Sequence, residues 1–544
     1  MPTTGINSRH ALDEIIGNLE TGDLIKARIV LNHFSRLDEA VQRRILYELN
    51  RRDDQICLTL LVFLLVTNPK AQTKYPDIAE SILAKALNDP RLILELVKSS
   101  RDAEQLYCVE LAGKIRLRDA TPELMQLLTS CSDVPVLKAT LTALGSIGSP
   151  EAVNGITEIL YSGSEVLIPA AIQALGQIAS PTALQRLAEF LGQDEAKDMM
   201  ILDIFAAIQD DLSLEILNKT LQSRSAVLRN YSKSKLISIG VKAVPTLIAN
   251  LTSPDPDLQI HSLNALLTIG DESAVMPIRK LINALPQNAN VRFAAFEALA
   301  GLPIRKGDYI WATGLLDPES NIRLAAAKAI ECTLDDVLAA GIRNMVRSQD
   351  QEAMQVVRAV LDSQAENIFL NLIRHDIGLD LISDYLANQA HPEIRQFFLQ
   401  VLTQAGHTEL AQAIRDANTL QPSAKKNDKV CAVDDSRMVL SIYRSVLNEL
   451  GYDPELFHNP ETALTWLKSN RVKFLCTDLN MPEMTGIDLT RALRKVYDQN
   501  QLPIIMVTTQ NDLRDAQEAL AAGVNCIAAK PFDAQSLKAA ITTM

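Results

Sequence analysis

The chain has 544 residues, of which 47% are apolar, 22% charged and only 4% aromatic. This length exceeds one compact core and the balance excludes a disordered or fibrous chain, while the scarcity of aromatic residues favours helices packed on helices. The 66 acidic and 53 basic residues give a net charge of −13, which disfavours binding to nucleic acid or to an anionic membrane.

Residues 1–109 have helical patterning without a clear repeat. Segments such as Leu24–Leu31 and Leu37–Leu49 mix apolar and charged positions at helical spacing. The apolar run Ile56–Val66 is about half of the roughly 20 residues that a membrane span needs, so it predicts a buried helix. The first residues have no basic stretch followed by an apolar one, so we expect no signal peptide, no membrane insertion and a cytoplasmic location. We interpret this region as divergent helical repeats or a cap.

Residues 110–419 repeat a helical hairpin. The phrase Ala143–Pro150 returns 31 residues later as Ala174–Pro181, and related phrases follow at similar spacing. Each unit has apolar residues at helical spacing, a Gly or Ser-Pro break, and a second apolar stretch such as Ala152–Leu160. One hairpin cannot bury both of its apolar faces, so successive hairpins are expected to stack into an α-solenoid.

These units resemble HEAT repeats, particularly the short bacterial type also seen in phycobilisome lyase-like proteins. When the repeats are aligned, four of them have an arginine at the same position, each directly after an aliphatic residue. These are Arg229, Arg292, Arg323 and Arg395. The resemblance implies that these arginines tie neighbouring units together through hydrogen bonds. In other repeats uncharged residues, including Gln259, occupy this position, so a continuous row of charges along the repeats is interrupted.

The seven cysteines are dispersed and form no CxxC pair. An odd, scattered set on apolar segments predicts reduced thiols in the core and disfavours a disulfide or zinc framework.

The pattern changes after residue 419. Residues 420–428 are polar, include a proline and read as a linker, and from 429 to 544 short apolar runs alternate with helical patterns. This alternation predicts an α/β domain with a doubly wound parallel sheet. The predicted strands are Val430–Val433, Phe474–Thr477, Pro503–Val507 and Cys526–Ala529, with a weaker one near Leu456–His458.

Polar side chains follow the predicted strands of this domain. Asp434 and Asp435 come after the first strand, Asp478 after the third, Thr508 after the fourth and Lys530 after the fifth. Functional groups gather at this edge of a parallel sheet, and three carboxylates there would repel one another unless a divalent cation compensated them. Oxygen ligands without clustered His or Cys point to Mg²⁺, and the added lysine and hydroxyl suit a phosphoryl group.

These motifs closely resemble the receiver domain of two-component response regulators, with a (βα)5 fold. The matching segments are Val433–Ser436, Asp478–Gly486 and Lys530–Phe532. The resemblance implies that Asp478 is the phosphoacceptor, assisted by Lys530 and Thr508, and that Lys530–Pro531 is a cis bond. It further implies these Mg²⁺ ligands: Asp434, Asp435, Asp478 and the backbone carbonyl of Asn480. Ile527 departs from the family, because many receivers carry a Tyr or Phe three residues before the lysine.

The combination predicts a bacterial response regulator that is phosphorylated by a histidine kinase or a phosphotransfer protein. We expect the helical array to act as a phosphorylation-controlled adaptor or scaffold for an unknown protein partner, and we expect no enzymatic activity beyond the receiver's own phosphoryl transfer and dephosphorylation. Two alternatives stay open: a receiver-regulated lyase or ligand-binding solenoid, and a phosphate sink that the array only localises.

Overall fold

The computed structural model describes residues 8–99, 102–303, 309–419, 428–508 and 513–544, and the chain divides into two compact units, Met1–Ile208 and Gln209–Met544. Helices come first along the chain and an α/β domain follows, which confirms the predicted fold class. The predicted linker at 420–428 lies outside the described residues except for Asp428, where the first strand begins. Within the described ranges, no helix has both the length and the apolar character needed to cross a membrane.

The first unit consists of helices that pack in pairs. The predicted apolar helix is present at Gln55–Thr67, and its central residues are buried. The α-helices of this unit are α1 (Ser8–Thr21), α2 (Leu24–Leu31), α3 (Glu39–Arg51), α4 (Gln55–Thr67), α5 (Pro69–Lys74), α6 (Asp77–Asn88), α7 (Pro90–Ser99), α8 (Asp102–Lys114), α9 (Thr121–Ser130), α10 (Val134–Ile147), α11 (Val153–Leu160), α12 (Ile168–Ile178), α13 (Pro181–Phe190) and α14 (Glu195–Ile208). Short 3₁₀ helices lie at Phe34–Arg36, Arg118–Ala120 and Pro150–Ala152.

Small residues in the repeated phrase let neighbouring helices approach closely. Helix α10 packs between α8 and α12, and a Cβ built on Gly145 of α10 would lie only 2.9 Å from the Cα of Ala174 on α12. Because a backbone atom faces Gly145, a larger side chain there would push α12 away. The recurrence of Ala, Leu and Gly in this phrase therefore reflects a packing requirement that one hairpin imposes on the next.

The second unit begins with further paired helices. In this part α16, α18, α20, α21 and α23 pack side by side in one layer. The helices are α15 (Asp211–Thr220), α16 (Ala226–Ile239), α17 (Val244–Asn250), α18 (Pro256–Ile269), α19 (Val275–Asn283), α20 (Ala289–Gly301), α21 (Ser320–Thr333), α22 (Asp336–Arg347), α23 (Gln351–Asp362), α24 (Glu366–Arg374), α25 (Leu379–Asp384), α26 (Pro392–Gln404) and α27 (Thr408–Thr419). Short 3₁₀ helices lie at Gly240–Ala243, Glu272–Ala274 and Tyr309–Leu316, and a π-helical turn lies at Tyr385–Gln389.

The recurring arginines bind backbone carbonyls of the turn that precedes their own helix. Arg323 donates from Nη1 to the carbonyl oxygens of Asp317 at 2.6 Å and Pro318 at 2.8 Å. Arg292 makes equivalent bonds and also contacts the Asp317 carboxylate, at 2.8 Å, across to the next unit. Gln259 donates its amide to the preceding turn in the same way. At Gln259 the charge is lost, as expected, but the hydrogen bonds are kept; the apolar Leu137 and Ile168, which occupy this position in two other units, have no side-chain donor for them.

The α/β domain is a doubly wound sheet. In the described part of the chain it has five parallel strands in the order β2-β1-β3-β4-β5. The strands are β1 (Asp428–Val433), β2 (Tyr452–Phe457), β3 (Leu475–Thr477), β4 (Ile504–Thr508) and β5 (Cys526–Ala529). The helices are α28 (Arg437–Glu449), α29 (Pro460–Leu467), α30 (Gly486–Arg494), α31 (Leu513–Ala522) and α32 (Ala534–Thr542). The five predicted strands are confirmed, with β2 beginning four residues before its predicted segment.

Both faces of this sheet are buried. Cys431 and Val433 of β1 belong to one apolar cluster, and Val430 and Ala432 belong to another on the opposite face. This two-sided burial explains why the strands read as continuous apolar runs in the sequence.

The cysteines of the described residues are free thiols, but the prediction that they lie in the core holds fully only for Cys57, Cys108, Cys431 and Cys476; Cys131 and Cys526 are partly exposed, and Cys332 is exposed. Cys332 lies near the end of α21, and its Sγ donates a weak hydrogen bond to the carbonyl oxygen of Ala300 at 3.4 Å.

Candidate functional site

Three carboxylates meet where the central strands of the sheet end. Asp434 and Asp435 directly follow β1, and Asp478 directly follows β3, which pairs with β1 in parallel. One oxygen atom from each carboxylate lies within 4.8 Å of the other two. In the described residues this is also the one group of three or more His, Cys, Asp or Glu side chains placed to hold a metal ion. We refer to Asp434, Asp435 and Asp478 as the acidic cluster.

A lysine from the end of β5 neutralises part of this charge. The Nζ atom of Lys530 donates to Oδ2 of Asp434 at 2.7 Å and lies 3.1 Å from Oδ1 of Asp478. Its backbone N–H donates to the carbonyl oxygen of Thr508, at the end of β4, at 2.8 Å. The bond between Lys530 and Pro531 is cis, as the resemblance implies. The structure therefore brings the predicted lysine and threonine to the same edge as the carboxylates.

Burial sets the electrostatics of the acidic cluster. It raises the pKa of Asp434, an effect that Lys530 opposes and that Asp478 and Asp435 reinforce. Burial also raises the pKa of Asp435, and the Lys233 ammonium of α16 opposes this rise. Burial alone would lower the pKa of Lys530, but Asp434 and Asp478 raise it overall. Carboxylates this close favour a bound cation, and their oxygen donors fit Mg²⁺.

The loop after β3 is held tightly against the acidic cluster. The N–H of Gly486 donates to the carbonyl oxygen of Leu479 at 3.0 Å, and a Cβ at Gly486 would lie 2.1 Å from the carbonyl oxygen of Asp478. Thr485 caps α30, because its hydroxyl accepts a hydrogen bond from the N–H of Asp488 at 3.1 Å. These contacts fix the position of Asp478, and they place the predicted ligand Asn480 in the lining of the same cavity.

Helices of the second unit complete this cavity, which the sequence did not predict. A cavity of about 80 Å³ lies over the acidic cluster and is lined on its other side by residues of α16, α18, α20 and α21. Lys233 of α16 lines it and is 7% exposed. His261 of α18 also lines it, and burial together with Lys233 and Arg229 lowers the pKa of His261 to about 3. Glu297 of α20 accepts a hydrogen bond from the hydroxyl of Ser436, directly after the acidic pair.

Three asparagine amides of the helices bond to the backbone of the site loops. Asn290 donates to the carbonyl oxygen of Lys530 at 2.7 Å, and Asn321 donates to that of Phe532 at 3.0 Å. Asn230 makes a longer bond of 3.4 Å to the carbonyl oxygen of Met481, in the loop after β3. Together with the bond from Ser436 to Glu297, these contacts bind three of the four loops that carry the predicted site residues to the helical repeats. The only sequence signal for these contacts is an amide near the start of a repeat helix, which does not by itself identify a partner.

The departure at Ile527 is local to β5. Its side chain is half-buried and packs against the apolar cluster that includes Leu475 and Ile504.

A parallel sheet in the order 2-1-3-4-5, with three carboxylates and a lysine where the strands end, defines a receiver-type α/β domain. Residues 430–542 match the family model of the response regulator receiver domain. Residues 90–168 and 244–331 match the family model of HEAT repeats.

Relatives with known names cover the same part of the chain. A chemotaxis protein CheY homolog of Campylobacter jejuni is 41% identical over 112 residues, which are 20% of this chain and 86% of the relative. The chemotaxis protein CheY of Pseudomonas aeruginosa is 42% identical over 111 residues, 20% of this chain and 90% of the relative. The solved structure of chemotaxis response regulator CheY4 of Vibrio cholerae is 31% identical and covers 22% of this chain and 100% of that chain, with a TM-score of 0.21. The chain therefore belongs to the response regulator receiver family, and HEAT repeats precede its receiver domain.

Proposed function

We propose that this protein is a two-component response regulator in which Asp478 accepts a phosphoryl group from a histidine kinase or a phosphotransfer protein. The observation that carries the proposal is the acidic cluster with Lys530 bonded into it, at the strand ends of a receiver-family domain. A carboxylate oxygen of Asp478 bonds to phosphorus while the phosphorus–nitrogen bond of the phosphohistidine breaks, and the nitrogen keeps the electron pair. The product is an acyl phosphate, so positioning and charge neutralisation suffice.

The other residues of the site hold and neutralise the transferred group. Lys530 donates to a phosphoryl oxygen from its place beside Asp478, and Thr508 donates its hydroxyl to another. Mg²⁺ supplies the positive charge that offsets the carboxylates and the phosphoryl oxygens. The proposed Mg²⁺ ligands are Asp434, Asp435, Asp478 and the backbone carbonyl of Asn480.

We further propose that the helical repeats act as a phosphorylation-controlled adaptor for another protein. Helical repeats supply extended binding surfaces. The site loops at Met481, Lys530 and Phe532 accept hydrogen bonds from these helices, so a rearrangement at Asp478 acts directly on them. A coupling of about 1–3 kcal/mol between phosphorylation and partner binding is the expected scale.

Phosphorylation is tested with the full chain, Mg²⁺ and acetyl phosphate. We expect a hydroxylamine-sensitive acyl phosphate at Asp478 that Asp478→Asn abolishes. Asp453→Asn is the matched control, because Asp453 is an exposed aspartate of β2 in the same domain. A folded, Mg²⁺-loaded wild type that never gains the label contradicts the proposed phosphorylation.

The adaptor role is tested separately, by recovering partners from cell extract with wild type and Asp478→Asn, each with and without acetyl phosphate. Phosphorylated wild type is expected to recover a set of proteins that differs from the other three samples. Equal recovery in all four samples, from a chain that does become phosphorylated, contradicts the adaptor and leaves the phosphate sink.

A further inference from the structure

The helices that face the receiver domain form a defined surface. Asn230, Lys233, Asn290, Glu297 and Asn321, from α16, α20 and α21, all contact the site loops or line the cavity over the acidic cluster. We call these five residues the docking surface.

Apolar contacts beside the docking surface also join these helices to the receiver domain. Ala226 of α16 belongs to the apolar cluster on one face of the sheet, and Phe293 of α20 packs against the cluster on the other face. Ion pairs continue the contact along α28, where Arg358 lies 3.3 Å from Glu449. Because this pair is exposed, we assign little of the binding energy to it. The apolar contacts and the amide bonds to carbonyl oxygens carry most of the contact.

The cavity leaves too little room for a protein phosphodonor. Its volume of about 80 Å³ accommodates several water molecules. A helix with its side chains is about 10–12 Å across, so a donor helix cannot present a phosphohistidine to Asp478 while the docking surface is in place. A small ion does fit.

The docking surface also brings a positive charge to the metal ligands. Lys233 is 7% exposed and lines the same cavity as Asp435. Lys530 already compensates Asp434 and Asp478. A second buried ammonium at the cluster repels any further cation, because charge–charge interactions are strong in a poorly solvated pocket.

We infer that the docking surface acts as a lid over the acidic cluster and that Lys233 supplies a positive charge there. While it is docked, Lys233 occupies the electrostatic position that Mg²⁺ would fill beside Asp435 and the pocket is closed to a protein donor, so docking and metal binding oppose each other. This inference rests on the proposed function of the acidic cluster. It assigns a positioning role to Lys233, which lies outside the ranges that match the two family models.

The inference is tested by metal binding to the full chain, with Mn²⁺ as the probe and its free concentration measured by electron paramagnetic resonance. Lys233→Met is expected to lower the Mn²⁺ dissociation constant about tenfold, the scale of one nearby charge in a partly buried site. Lys233→Arg keeps the charge and is expected to stay near wild type. Lys242→Met is the matched control, because it removes the same charge from an exposed position just after α16.

A second variant weakens docking without changing any charge. Asn290→Ala combined with Asn321→Ala leaves the carbonyl oxygens of Lys530 and Phe532 without these donors, and we expect it to tighten Mn²⁺ binding as well. Circular dichroism melts confirm that each variant is folded.

The outcomes separate the lid from the proposed function. The lid is overturned if Lys233→Met and the double asparagine variant both bind Mn²⁺ with dissociation constants within twofold of wild type. In that case, loss of Mn²⁺ binding in Asp435→Asn still supports the metal site. If no variant, including wild type, binds Mn²⁺ more tightly than Asp435→Asn does, the proposed metal site and the lid both fail.

Discussion

Gly486 is the residue whose substitution most directly tests the geometry around Asp478. A Cβ at this position would lie 2.1 Å from the carbonyl oxygen of Asp478, 3.0 Å from its carbonyl carbon and 3.2 Å from Cε of Met506. The methionine can move, but the two backbone atoms belong to the phosphoacceptor itself. Gly486→Ala must therefore displace the loop after β3 or the start of α30.

Two opposing effects set the change in the free energy of unfolding that Gly486→Ala causes. Overpacking in a well-packed region costs about 1–3 kcal/mol, and a clash with backbone belongs at the upper end of that range. Replacing glycine by alanine in a helix returns about 0.5–1 kcal/mol. We expect Gly486→Ala to lower the free energy of unfolding by about 2 kcal/mol and to slow phosphorylation of Asp478, because the loop that positions the carboxylate has moved.

Urea unfolding followed by tryptophan fluorescence measures this change, since Trp466, one of the two tryptophans of the chain, packs against Phe457 and the apolar cluster of the receiver domain. Gly17→Ala is the control, because a Cβ at Gly17 in α1 meets nothing within 4 Å. The control is expected to be neutral or slightly stabilising. Wild-type stability and phosphorylation in Gly486→Ala would refute the proposed close approach.

Three further predictions concern buried side chains, each checked by urea unfolding of the full chain, in metal-free buffer except where Mg²⁺ is named. Lys530→Met removes the partner of the buried Asp434 and is expected to cost about 3–5 kcal/mol, less when Mg²⁺ is added; an equal loss with and without Mg²⁺ would contradict the metal site. Arg323→Ala leaves two carbonyl oxygens of the preceding turn without their donor and is expected to cost about 1–3 kcal/mol, whereas exposed Arg347→Ala is expected to be neutral; equal losses would refute the turn-binding role. Burial holds the pKa of His261 at about 3, below its unfolded value of about 6.5. Folding therefore favours the neutral form, and stability falls as pH drops below 6.5. Relative to His261→Gln, wild type is expected to lose about 2 kcal/mol of unfolding free energy between pH 7 and pH 5, and parallel pH profiles of the two proteins would contradict this.

Local motifs explain how much of the receiver domain the sequence predicts. Asp434, Asp478 and Lys530 each directly follow a short, mostly apolar strand, and the strand ends of a parallel sheet share one edge. The proximity of these three side chains therefore follows from the sheet topology, which the short strand motifs predict. The assignment of their roles in phosphoryl transfer remains a prediction.

The repeats were predictable to the extent that each hairpin copies its neighbour. The 31-residue recurrence predicts stacked hairpins, and the structure adds the close approach of Gly145 to Ala174 that the stacking requires. The phrase is weak before residue 110, yet α7 and α8 pack on each other and the HEAT match begins at residue 90. Helix pairing there depends on apolar contacts that many sequences satisfy. The domain bounds at 109 and 419 accordingly stay predictions.

The docking surface could not be predicted, for a different physical reason. Asn290 and Asn321 bond to carbonyl oxygens of residues more than 200 positions away, and nothing in a single sequence links an amide to a distant backbone atom. Lys233 lies on a repeat helix between Ser232 and Ser234 and looks like an ordinary surface lysine in the sequence, although it is 7% exposed in the structure.

The asparagine bonds to Lys530 and Phe532 have an evolutionary corollary, because they end on carbonyl oxygens that every amino acid possesses. Residues of the loop after β5 can be substituted without loss of these two hydrogen bonds, provided that the main chain keeps its path. A chimera that carries a foreign receiver with the same loop path would inherit these two attachments at once, whereas the recognition of Ser436 by Glu297 would have to be acquired anew.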